Sequence, residues 1–247
     1  MAQAWTVEAG RRAAPHARLV YVTPSHQYPL GVTLSLPRRL APLDWASRAG
    51  AVVIEDDYDW EYSYQEPPVA AIQGLDEAGR VVYVGTFTKV LYPSLRLAYA
   101  VVPDTLVEPY VRARRLTDGH PPVLLQAVTA DFIEEGHFGA HLRSTRSLYA
   151  ERRGVLVDAV RSELARAGDL GPVGAGLRAV LHLARCRDAA VHQRALVLGV
   201  DASPLSAFHH GPVLTNGLVL GDAALDASDI RAGVRTLARA VASHRQG

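Results

Sequence analysis

Lys89 is the only lysine in the chain, although lysine and arginine together number 26. An amine that is desolvated or crowded by charge can lose its proton and attack an aldehyde to form a Schiff base. A guanidinium stays protonated and is a poor nucleophile, so arginine cannot replace lysine in this reaction. The retained lysine therefore indicates imine chemistry, and the alternative is a surface lysine that was kept by chance.

Three polar segments follow three predicted strands, and Lys89 ends one of them. They are TPSHQYPLG at 23–31, EDDYD at 55–59 and GTFTK at 85–89. In open α/β sheets, ligands bind beyond the carboxyl ends of the strands, so these segments are expected to meet at one site. The acidic segment leaves two other interpretations open: a solvated acidic turn, or a divalent-metal site built from clustered carboxylates.

The elements that must carry these segments are visible as short apolar runs. Runs at 17–23, 50–56, 80–86 and 95–102 are nearly continuous in hydrophobicity, which predicts strands covered on both faces in a parallel or mixed sheet. A helix is expected from Ser35 to Ala49, capped by Ser35 and ended by Gly50. Pro42 is expected to kink or shorten this helix.

After Pro103 the pattern becomes helical. The segment 121–138 is expected to form one helix and 139–167 a longer one, while 176–184 and 216–223 are predicted strands. The closing helix carries an apolar stripe formed by Ile230, Val234, Leu237 and Val241. The sequence thus predicts an α/β layer over residues 1–140 and a smaller α+β domain over 141–247 that includes the long helix.

The net charge, the cysteine count and the lengths of the apolar runs exclude several classes of function. A formal net charge of +1 provides no basic field for direct contact with nucleic acid. Cys186 is the single cysteine, which excludes an internal disulfide and fits a reducing cytoplasm. No apolar run reaches the roughly 18 to 20 residues that span a bilayer, and the N-terminus shows no apolar core of a secretory signal. A cytoplasmic protein without membrane contact is expected.

Four segments together resemble one family. TPSHQYPLGVTLSL, VIEDDYDWEY, VYVGTFTKVLYPSLRLAYAVVP and IEEGHFGAHLRSTRSLYAERR have the order and spacing of the aminotransferase-like domain of MocR/GabR-type proteins, which are similar to fold-type-I, class I/II pyridoxal-phosphate enzymes. The resemblance implies an α/β fold: part of a fold-type-I large domain with a mostly parallel sheet, then a smaller α+β domain. It also implies a pyridoxal 5′-phosphate-dependent aminotransferase that moves an amino group between an amino acid or amine and a 2-oxo acid.

The resemblance assigns three catalytic residues. Lys89 would carry the cofactor as a Schiff base. Asp56 would pair with the protonated pyridine nitrogen of the cofactor, which keeps the ring an electron sink. Tyr58 would hydrogen-bond the phenolic oxygen of the ring. Taken without the resemblance, Tyr58 could equally be a half-buried aromatic residue at a strand end.

Four further residues are implied as cofactor contacts: His26, Thr86, Thr88 and Arg96. Arg96 would bind the phosphate through its forked guanidinium, with hydroxyl donors from the two threonines, and His26 would lie near the same ring edge as Tyr58. The alternatives are structural. Threonine favours strands, a loop histidine often has no catalytic part, and Arg96 could pair with an acidic residue of the EDDYD segment.

The sequence departs from the family pattern in three respects. The winged-helix DNA-binding domain is expected to be absent, and so is the first half of the large domain, with its glycine-rich phosphate turn and ring-stacking aromatic residue. Relatives carry an arginine in a PLSRY-like segment that binds the substrate carboxylate, whereas this chain reads PLSAF with Ala207 at that place. Arg178 and His209 are the candidates to replace it.

These departures keep a second hypothesis open, namely a non-catalytic remnant of a MocR-type regulator that binds pyridoxal phosphate or another protein. The resemblance further implies a homodimer, because related active sites share residues across a two-fold axis, and it leaves room for a partner chain that supplies the missing half. A metal-dependent hydrolase built on the acidic segment is the third hypothesis, although no metal is expected.

Overall fold

The structure is a computed structural model of the chain, and it describes residues 6–64, 70–184 and 186–243. The chain divides into two units. Unit 1 comprises Met1–Gln27, Val32–Glu61 and Glu66–Leu142. Unit 2 comprises Tyr28–Gly31, Tyr62–Gln65 and Arg143–Gly247, so two short segments from the first half of the sequence belong to it.

Unit 1 is built on a four-stranded sheet in the order β1-β2-β3-β4. Its strands are β1 (Leu19–Val22), β2 (Val52–Asp57), β3 (Val81–Thr86) and β4 (Ala98–Val101). The first three are parallel, and β4 runs antiparallel to β3. The apolar runs therefore predicted the strands correctly, and the sheet is mixed.

The helices of unit 1 are α1 (Val7–Ala13), α2 (Leu36–Ala49), α3 (Asp104–Thr117) and α4 (Val123–Glu134). Short 3₁₀ helices lie at Trp60–Tyr62, Gln73–Leu75 and Pro93–Leu95. Helix α2 follows Ser35 and ends at Gly50, which adopts a left-handed conformation with φ of 57° and donates its amide to Ala46. The helix continues through Pro42 without ending there, so the expected shortening does not occur.

The two faces of the unit 1 sheet differ. Alternate residues of β2 are buried, beginning with Val53, and this face packs on α2 around Ala46 and Ile72. On the opposite face Leu19 is 54% exposed and Tyr21 is 58% exposed. The prediction that both faces are covered is therefore wrong for the described residues, because strands with nearly continuous hydrophobicity do not reveal which side is packed.

Unit 2 contains an antiparallel sheet in the order β5-β6-β8-β7. Its strands are β5 (Gly168–Leu170), β6 (Arg178–Leu183), β7 (Ser203–Pro204) and β8 (Gly217–Gly221), and a 3₁₀ helix spans Leu205–Phe208. The helices are α5 (His137–Leu164), which begins in unit 1, α6 (Asp188–Val197) and α7 (Ala227–Ala242). The predicted strands at 176–184 and 216–223 are confirmed as β6 and β8, whereas β5, β7 and α6 were not predicted.

The core of unit 2 lies between its sheet and its helices. Leu156, Val160 and Leu164 of α5 are buried in it, together with the predicted apolar stripe of α7. The predicted helix at 121–138 ends earlier, at Glu134, because Gly136 adopts a φ of 81° between α4 and α5. Within the described ranges, no helix is both long enough and apolar enough to cross a membrane.

Candidate functional site

The carboxyl ends of β1, β2 and β3 meet at one edge of the unit 1 sheet, because the three strands are parallel. The segment TPSHQYPLG follows β1, whereas EDDYD and GTFTK begin in the last residues of β2 and β3 and continue past their ends. All seven predicted site residues belong to unit 1. They lie at the strand ends or on the connections that follow, where an open α/β sheet binds its ligands.

The pleat of β2 separates the carboxylates of the EDDYD segment. Glu55 and Asp57 point to the packed face and are 0% and 6% exposed, while Asp56 between them points to the opposite face. There Asp56 lies opposite Val84 of β3 and accepts a hydrogen bond from the Tyr21 hydroxyl of β1. Burial and this hydrogen bond raise the pKa of Tyr21. Asp56 is thus an oriented carboxylate on the open face.

The two carboxylates on the packed face have structural partners. Glu55 accepts hydrogen bonds from the backbone amides of Ile72 at 2.9 Å and Gln73 at 2.8 Å. Burial raises the pKa of Glu55, although these bonds oppose the rise. Asp57 accepts from the hydroxyls of Ser25 at 3.2 Å and Tyr83 at 3.4 Å. Burial, with the charge of Glu55 next, raises the pKa of Asp57 to about 6.

These contacts bear on the two other interpretations of the acidic segment. A solvated acidic turn does not describe Glu55 and Asp57, since both are buried. In the part of the chain that the structure describes, no three histidine, cysteine or acidic side chains are placed to hold a metal ion. The packed-face carboxylates accept hydrogen bonds from protein donors, although Oδ1 of Asp57 is buried without a partner among the described residues.

His26, Tyr58 and Asp59 form a contacting group at the ends of β1 and β2. The Tyr58 hydroxyl donates to the backbone oxygen of His26 at 2.8 Å and lies 3.2 Å from its Nδ1. The same Nδ1 is 3.1 Å from Oδ2 of Asp59, which is 2% exposed. His26 is itself buried, and its Nε2 has no hydrogen-bond partner among the described residues. A buried polar atom without a partner marks a place where a ligand or water belongs.

Lys89 lies in a tight turn after β3. The amide of Leu91 donates to the Phe87 carbonyl at 2.9 Å and closes the turn. The turn is anchored on both sides of the lysine: Val90 is 1% exposed and its carbonyl lies 2.8 Å from Nε2 of His141, while the Phe87 ring packs 5.5 Å from the Tyr99 ring. Lys89 itself is exposed. An anchored turn thus presents a free amine to the exterior of unit 1.

The two threonines before Lys89 shape its turn. The hydroxyl of Thr86 donates to the Leu97 carbonyl at 3.3 Å and accepts the amide of Thr88 at 3.1 Å. Thr86 follows Val84 by two residues in β3, so it shares the open face with Asp56. In this structure the Thr86 hydroxyl is occupied by the backbone, and Thr88 contributes its amide to the loop.

Arg96 ends the same loop with an unusual backbone. Its φ of 51° is left-handed, and no other non-glycine residue in the described ranges has a positive φ. Such a conformation costs about 1 kcal/mol or more for a residue with a side chain. The carbonyl of the next residue, Leu97, binds the Phe87 amide at 3.0 Å, which holds Arg96 near the end of β3.

The structural alternative for Arg96, an ion pair with the acidic segment, is not observed among the described residues. Glu55 and Asp57 are occupied by other donors, and the structure gives Arg96 no ion pair. Among the described residues, no ion pair of the guanidinium therefore compensates for the strain in the Arg96 backbone. Backbone strain of this kind clusters at functional sites.

The donor set fits pyridoxal 5′-phosphate in its chemistry. It comprises an oriented carboxylate (Asp56), an exposed amine (Lys89), a phenol (Tyr58) and a guanidinium without an ion pair (Arg96). These suit the ring nitrogen, the aldehyde, the phenolic oxygen and the phosphate of that cofactor, respectively. Three residues at this edge were missing from the predicted site: Asp59, Tyr21 and Ser25. The sequence held a signal for Asp59 alone, because it continues the alternation of buried and exposed positions in EDDYD.

The fold and the donor set together are those of an aminotransferase-like domain of the pyridoxal-phosphate class. No protein-family model matches the chain. The probable rhizopine catabolism regulatory protein MocR of Rhizobium meliloti is 43% identical over 235 residues, which cover 94% of this chain and 47% of that protein. The 2-aminoadipate transaminase of Thermus thermophilus is 32% identical over 228 residues, covering 91% of this chain and 57% of the transaminase.

Solved structures give the same result. The α-aminoadipate aminotransferase LysN of Thermus thermophilus, complexed with N-(5′-phosphopyridoxyl)-L-leucine, matches with a TM-score of 0.87 at 30% identity, over 97% of this chain and 63% of that one. The chain spans about half the length of the curated relatives it matches. Its homologues are MocR- and PdxR-type regulators and aminotransferases, and its fold is that of the fold-type-I enzymes, so it is an aminotransferase-like domain.

Proposed function

We propose that this chain binds pyridoxal 5′-phosphate through Lys89 and transfers an amino group between an amino acid or amine and a 2-oxo acid. The observation that carries the proposal is the orientation of Asp56. The side chains of its neighbours Glu55 and Asp57 are buried on the packed face of the sheet. Asp56 faces the open side and accepts a hydrogen bond from the Tyr21 hydroxyl. A carboxylate held in this way, on the strand next to the one that leads into the Lys89 turn, suits a protonated ring nitrogen.

Each residue has a distinct role in the proposal. Asp56 keeps a proton on the ring nitrogen, and Arg96 and the adjacent loop bind the phosphate dianion. When bound, the cofactor supplies an electron sink for the carbanion formed at the substrate Cα. The amine of Lys89 would hold the cofactor through its aldehyde and would be the base placed to move the proton of the substrate Cα. The Tyr58 hydroxyl, which donates to the His26 carbonyl in this structure, would turn from that oxygen to donate to the phenolic oxygen of the cofactor.

The substrate class in the proposal is that of amino acids and their 2-oxo acids. Support comes from relatives named for such substrates, including a 2-aminoadipate transaminase and a kynurenine aminotransferase. The proposal also takes the protein to work in the cytoplasm as a homodimer. Size-exclusion chromatography with light scattering, at several concentrations and with cofactor present, tests the dimer, and a monomeric mass at every concentration contradicts it.

The decisive experiment uses the fact that the chain has one lysine. Purified protein is mixed with pyridoxal phosphate, its visible absorption is recorded, and the imine is reduced with borohydride before peptide mass spectrometry. We expect a visible band and a pyridoxyl adduct on the peptide that contains Lys89. The matched variant Lys89→Arg keeps the positive charge but forms no imine, so both signals are lost. An adduct confined to the N-terminal amine, or an unchanged band in Lys89→Arg, rejects the proposal.

The second candidate function is a cofactor-binding module without transaminase activity. The observation that favours it is that curated relatives at 37% to 43% identity include a probable MocR regulatory protein and two HTH-type transcriptional regulators. A panel of amino donors with a 2-oxo acid acceptor separates the two candidates. Turnover in the wild type that is lost in Asp56→Asn, with the Lys89 adduct retained, supports catalysis. Adduct formation without turnover of any donor supports the module.

A further inference from the structure

His26 and Asp59 form a buried pair at the strand ends of unit 1. Nδ1 of His26 lies 3.1 Å from Oδ2 of Asp59, and the two residues are 6% and 2% exposed. His26 follows β1 and Asp59 follows β2, so the pair joins the connections after two neighbouring strands. Within the described ranges the Asp59 side chain forms no other hydrogen bond, and its Oδ1 is buried without a partner.

Other buried carboxylates of the chain have a different kind of partner. Glu55 accepts two backbone amides and Asp188 accepts three, so each of these acids fixes the backbone of a loop. Among the described residues, Asp59 binds an imidazole and no backbone amide. A buried oxygen that stays unpaired costs free energy. Holding a loop therefore does not account for Asp59, and the effect of its carboxylate is exerted on His26.

The pair determines where the imidazole of His26 carries its hydrogen. An ionised carboxylate only accepts hydrogen bonds, so Nδ1 is the donor and carries a hydrogen whether the ring is neutral or cationic. The hydrogen bond made by one ring nitrogen sets the tautomer of a histidine. Without the Asp59 carboxylate this constraint is lost, and Nδ1 can become an acceptor.

The state of Nδ1 matters for Tyr58, because the Tyr58 hydroxyl lies 3.2 Å from this atom. While the hydrogen on Nδ1 is directed to Asp59, the nitrogen has no lone pair to offer the phenol, and the hydroxyl donates to the His26 carbonyl at 2.8 Å. An Nδ1 without its hydrogen would give the hydroxyl a second acceptor at the same place. The imidazole would then hold the phenol and hinder its turn to any other acceptor.

We propose that Asp59 is a positioning residue: it keeps the hydrogen on Nδ1 of His26 and thereby leaves the Tyr58 hydroxyl able to donate to the phenolic oxygen of pyridoxal phosphate. The inference rests on the proposed function and adds a residue to it. The part of Asp59 is indirect, because it acts through His26 on Tyr58. All three residues belong to unit 1.

The tautomer of His26 is measured in the chain without cofactor. Two-bond ¹H–¹⁵N NMR spectra of protein with labelled histidine distinguish a protonated from an unprotonated ring nitrogen, and His26→Asn identifies the His26 signals among the ten histidines by their loss. We expect a protonated Nδ1 in the wild type. Asp59→Leu removes the acceptor and is expected to move the hydrogen of the neutral ring to Nε2. An unprotonated Nδ1 in the wild type, or the same state of Nδ1 in both proteins, overturns the proposal.

A double-mutant cycle with Tyr58 shows whether Asp59 acts through the phenol. Asp59→Leu is expected to weaken the binding of pyridoxal phosphate by about 3- to 10-fold, the range for one hydrogen bond. In the Tyr58→Phe background, which lacks the hydroxyl, Asp59→Leu should change the affinity no further. Equal weakening in both backgrounds would mean that Asp59 only supports the fold, which contradicts the proposal.

Two variants of His26 form a matched pair that leaves Asp59 in place. The amide of His26→Asn can take the place of Nδ1 and still donate to Asp59, whereas the amide of His26→Gln extends to the place of Nε2. We expect His26→Asn to bind pyridoxal phosphate more tightly than His26→Gln, again by about 3- to 10-fold. Equal affinities, or the reverse order, would show that His26 does not act through Nδ1 and would overturn the proposal.

The two proposals fail separately. A wild type without the Lys89 adduct rejects the proposed function, while the tautomer of His26 and its dependence on Asp59 are still measured in the same protein. An intact adduct together with an unprotonated Nδ1 in the wild type rejects only the role of Asp59.

Discussion

Two buried arginines show how differently the two units are built. In unit 2, Arg153 is 4% exposed and contacts both oxygens of Asp222, which is 2% exposed. In unit 1, Arg39 is 1% exposed, and among the described residues its side chain donates to carbonyl oxygens alone, those of Pro24, Leu34 and Ala70, each at 3.0 Å. Burial lowers the pKa of Arg39, although the nearby Glu55 and Asp57 oppose that shift.

The same contrast extends to the surrounding polar atoms. Near the strand ends of unit 1, Nε2 of His26, Oδ1 of Asp57 and Oδ1 of Asp59 are buried without hydrogen-bond partners among the described residues. Unit 2 instead encloses a continuous apolar core around Leu181, Leu218 and Leu237. Among the described residues, such atoms are more numerous in unit 1, although Nη1 of Arg194 in unit 2 is another. Unit 1 also has an exposed sheet face at the edge where its chemistry is proposed. Functional sites commonly depart from the rules that stabilise a fold.

The largest effect is expected at the Arg153–Asp222 pair. Arg153→Met leaves Asp222 as a buried carboxylate without its cation, which should lower the free energy of unfolding by about 3–5 kcal/mol. Urea unfolding followed by circular dichroism measures the loss. The control is Arg161→Met on the same helix, where the arginine is exposed and the change should stay within about 0.5 kcal/mol. Similar losses in both variants would show that the buried pair is not special.

The second prediction concerns the raised pKa of Asp57. Since its folded pKa is about 6, against an ordinary value of 3.8, the folded protein binds more protons between these pH values and stability falls as pH rises through them. Asp57→Asn removes this titration, so above pH 6 it should be more stable than the wild type by about 2–3 kcal/mol. Below about pH 4 the two should be equal.

Unfolding free energies from about pH 4 to pH 8 measure this difference across the titration. Asp44→Asn, at an exposed position on α2, is the control and should follow the wild-type curve. Parallel curves for the wild type and Asp57→Asn would contradict the assignment of the buried charge.

The third prediction compares Val81 and Val82, which are consecutive residues of β3 and point to opposite faces of the unit 1 sheet. Val81 is 2% exposed on the packed face, and Val81→Ala should cost about 2 kcal/mol because it leaves a cavity. Val82 points to the opposite face and is only partly buried, so Val82→Ala should cost less than about 1 kcal/mol. Denaturant unfolding of both variants measures the difference, and equal costs would mean that the open face is packed in solution.

The smallest stability change is expected at Arg96, and it is a gain. Glycine tolerates a positive φ, so Arg96→Gly should stabilise the chain by about 1 kcal/mol, whereas Arg96→Ala keeps the strain and should not. Both variants lack the guanidinium and should bind pyridoxal phosphate more weakly than the wild type. Thermal unfolding and cofactor titration measure the two effects, and full cofactor affinity in Arg96→Gly would remove Arg96 from the proposed site.

The sequence predicted the strands that carry the site because their apolar runs are strong local signals. Short elements such as β7, which has two residues, and the separate helix α6 lack such a signal and were missed. The residue types at the strand ends were predictable as well. Partners that depend on tertiary structure were not: Asp59 meets His26 from 33 positions away, and Tyr21 reaches Asp56 from 35.

The directions of the EDDYD carboxylates were only partly predictable from the sequence. A strict period of two, applied to β2, would have placed Glu55 and Asp57 on one side and Asp56 on the other. What the period could not reveal is which side is covered by α2, because the flanking residues are apolar on both faces. The exposed position of Tyr21 likewise required the folded chain.

The left-handed backbone at Arg96 also has a bearing on the history of such chains. If the guanidinium had no use, exchange for glycine would relieve the strain at no cost to function. Arginine at this position across related chains would therefore indicate selection for the guanidinium, and glycine would indicate that it is dispensable.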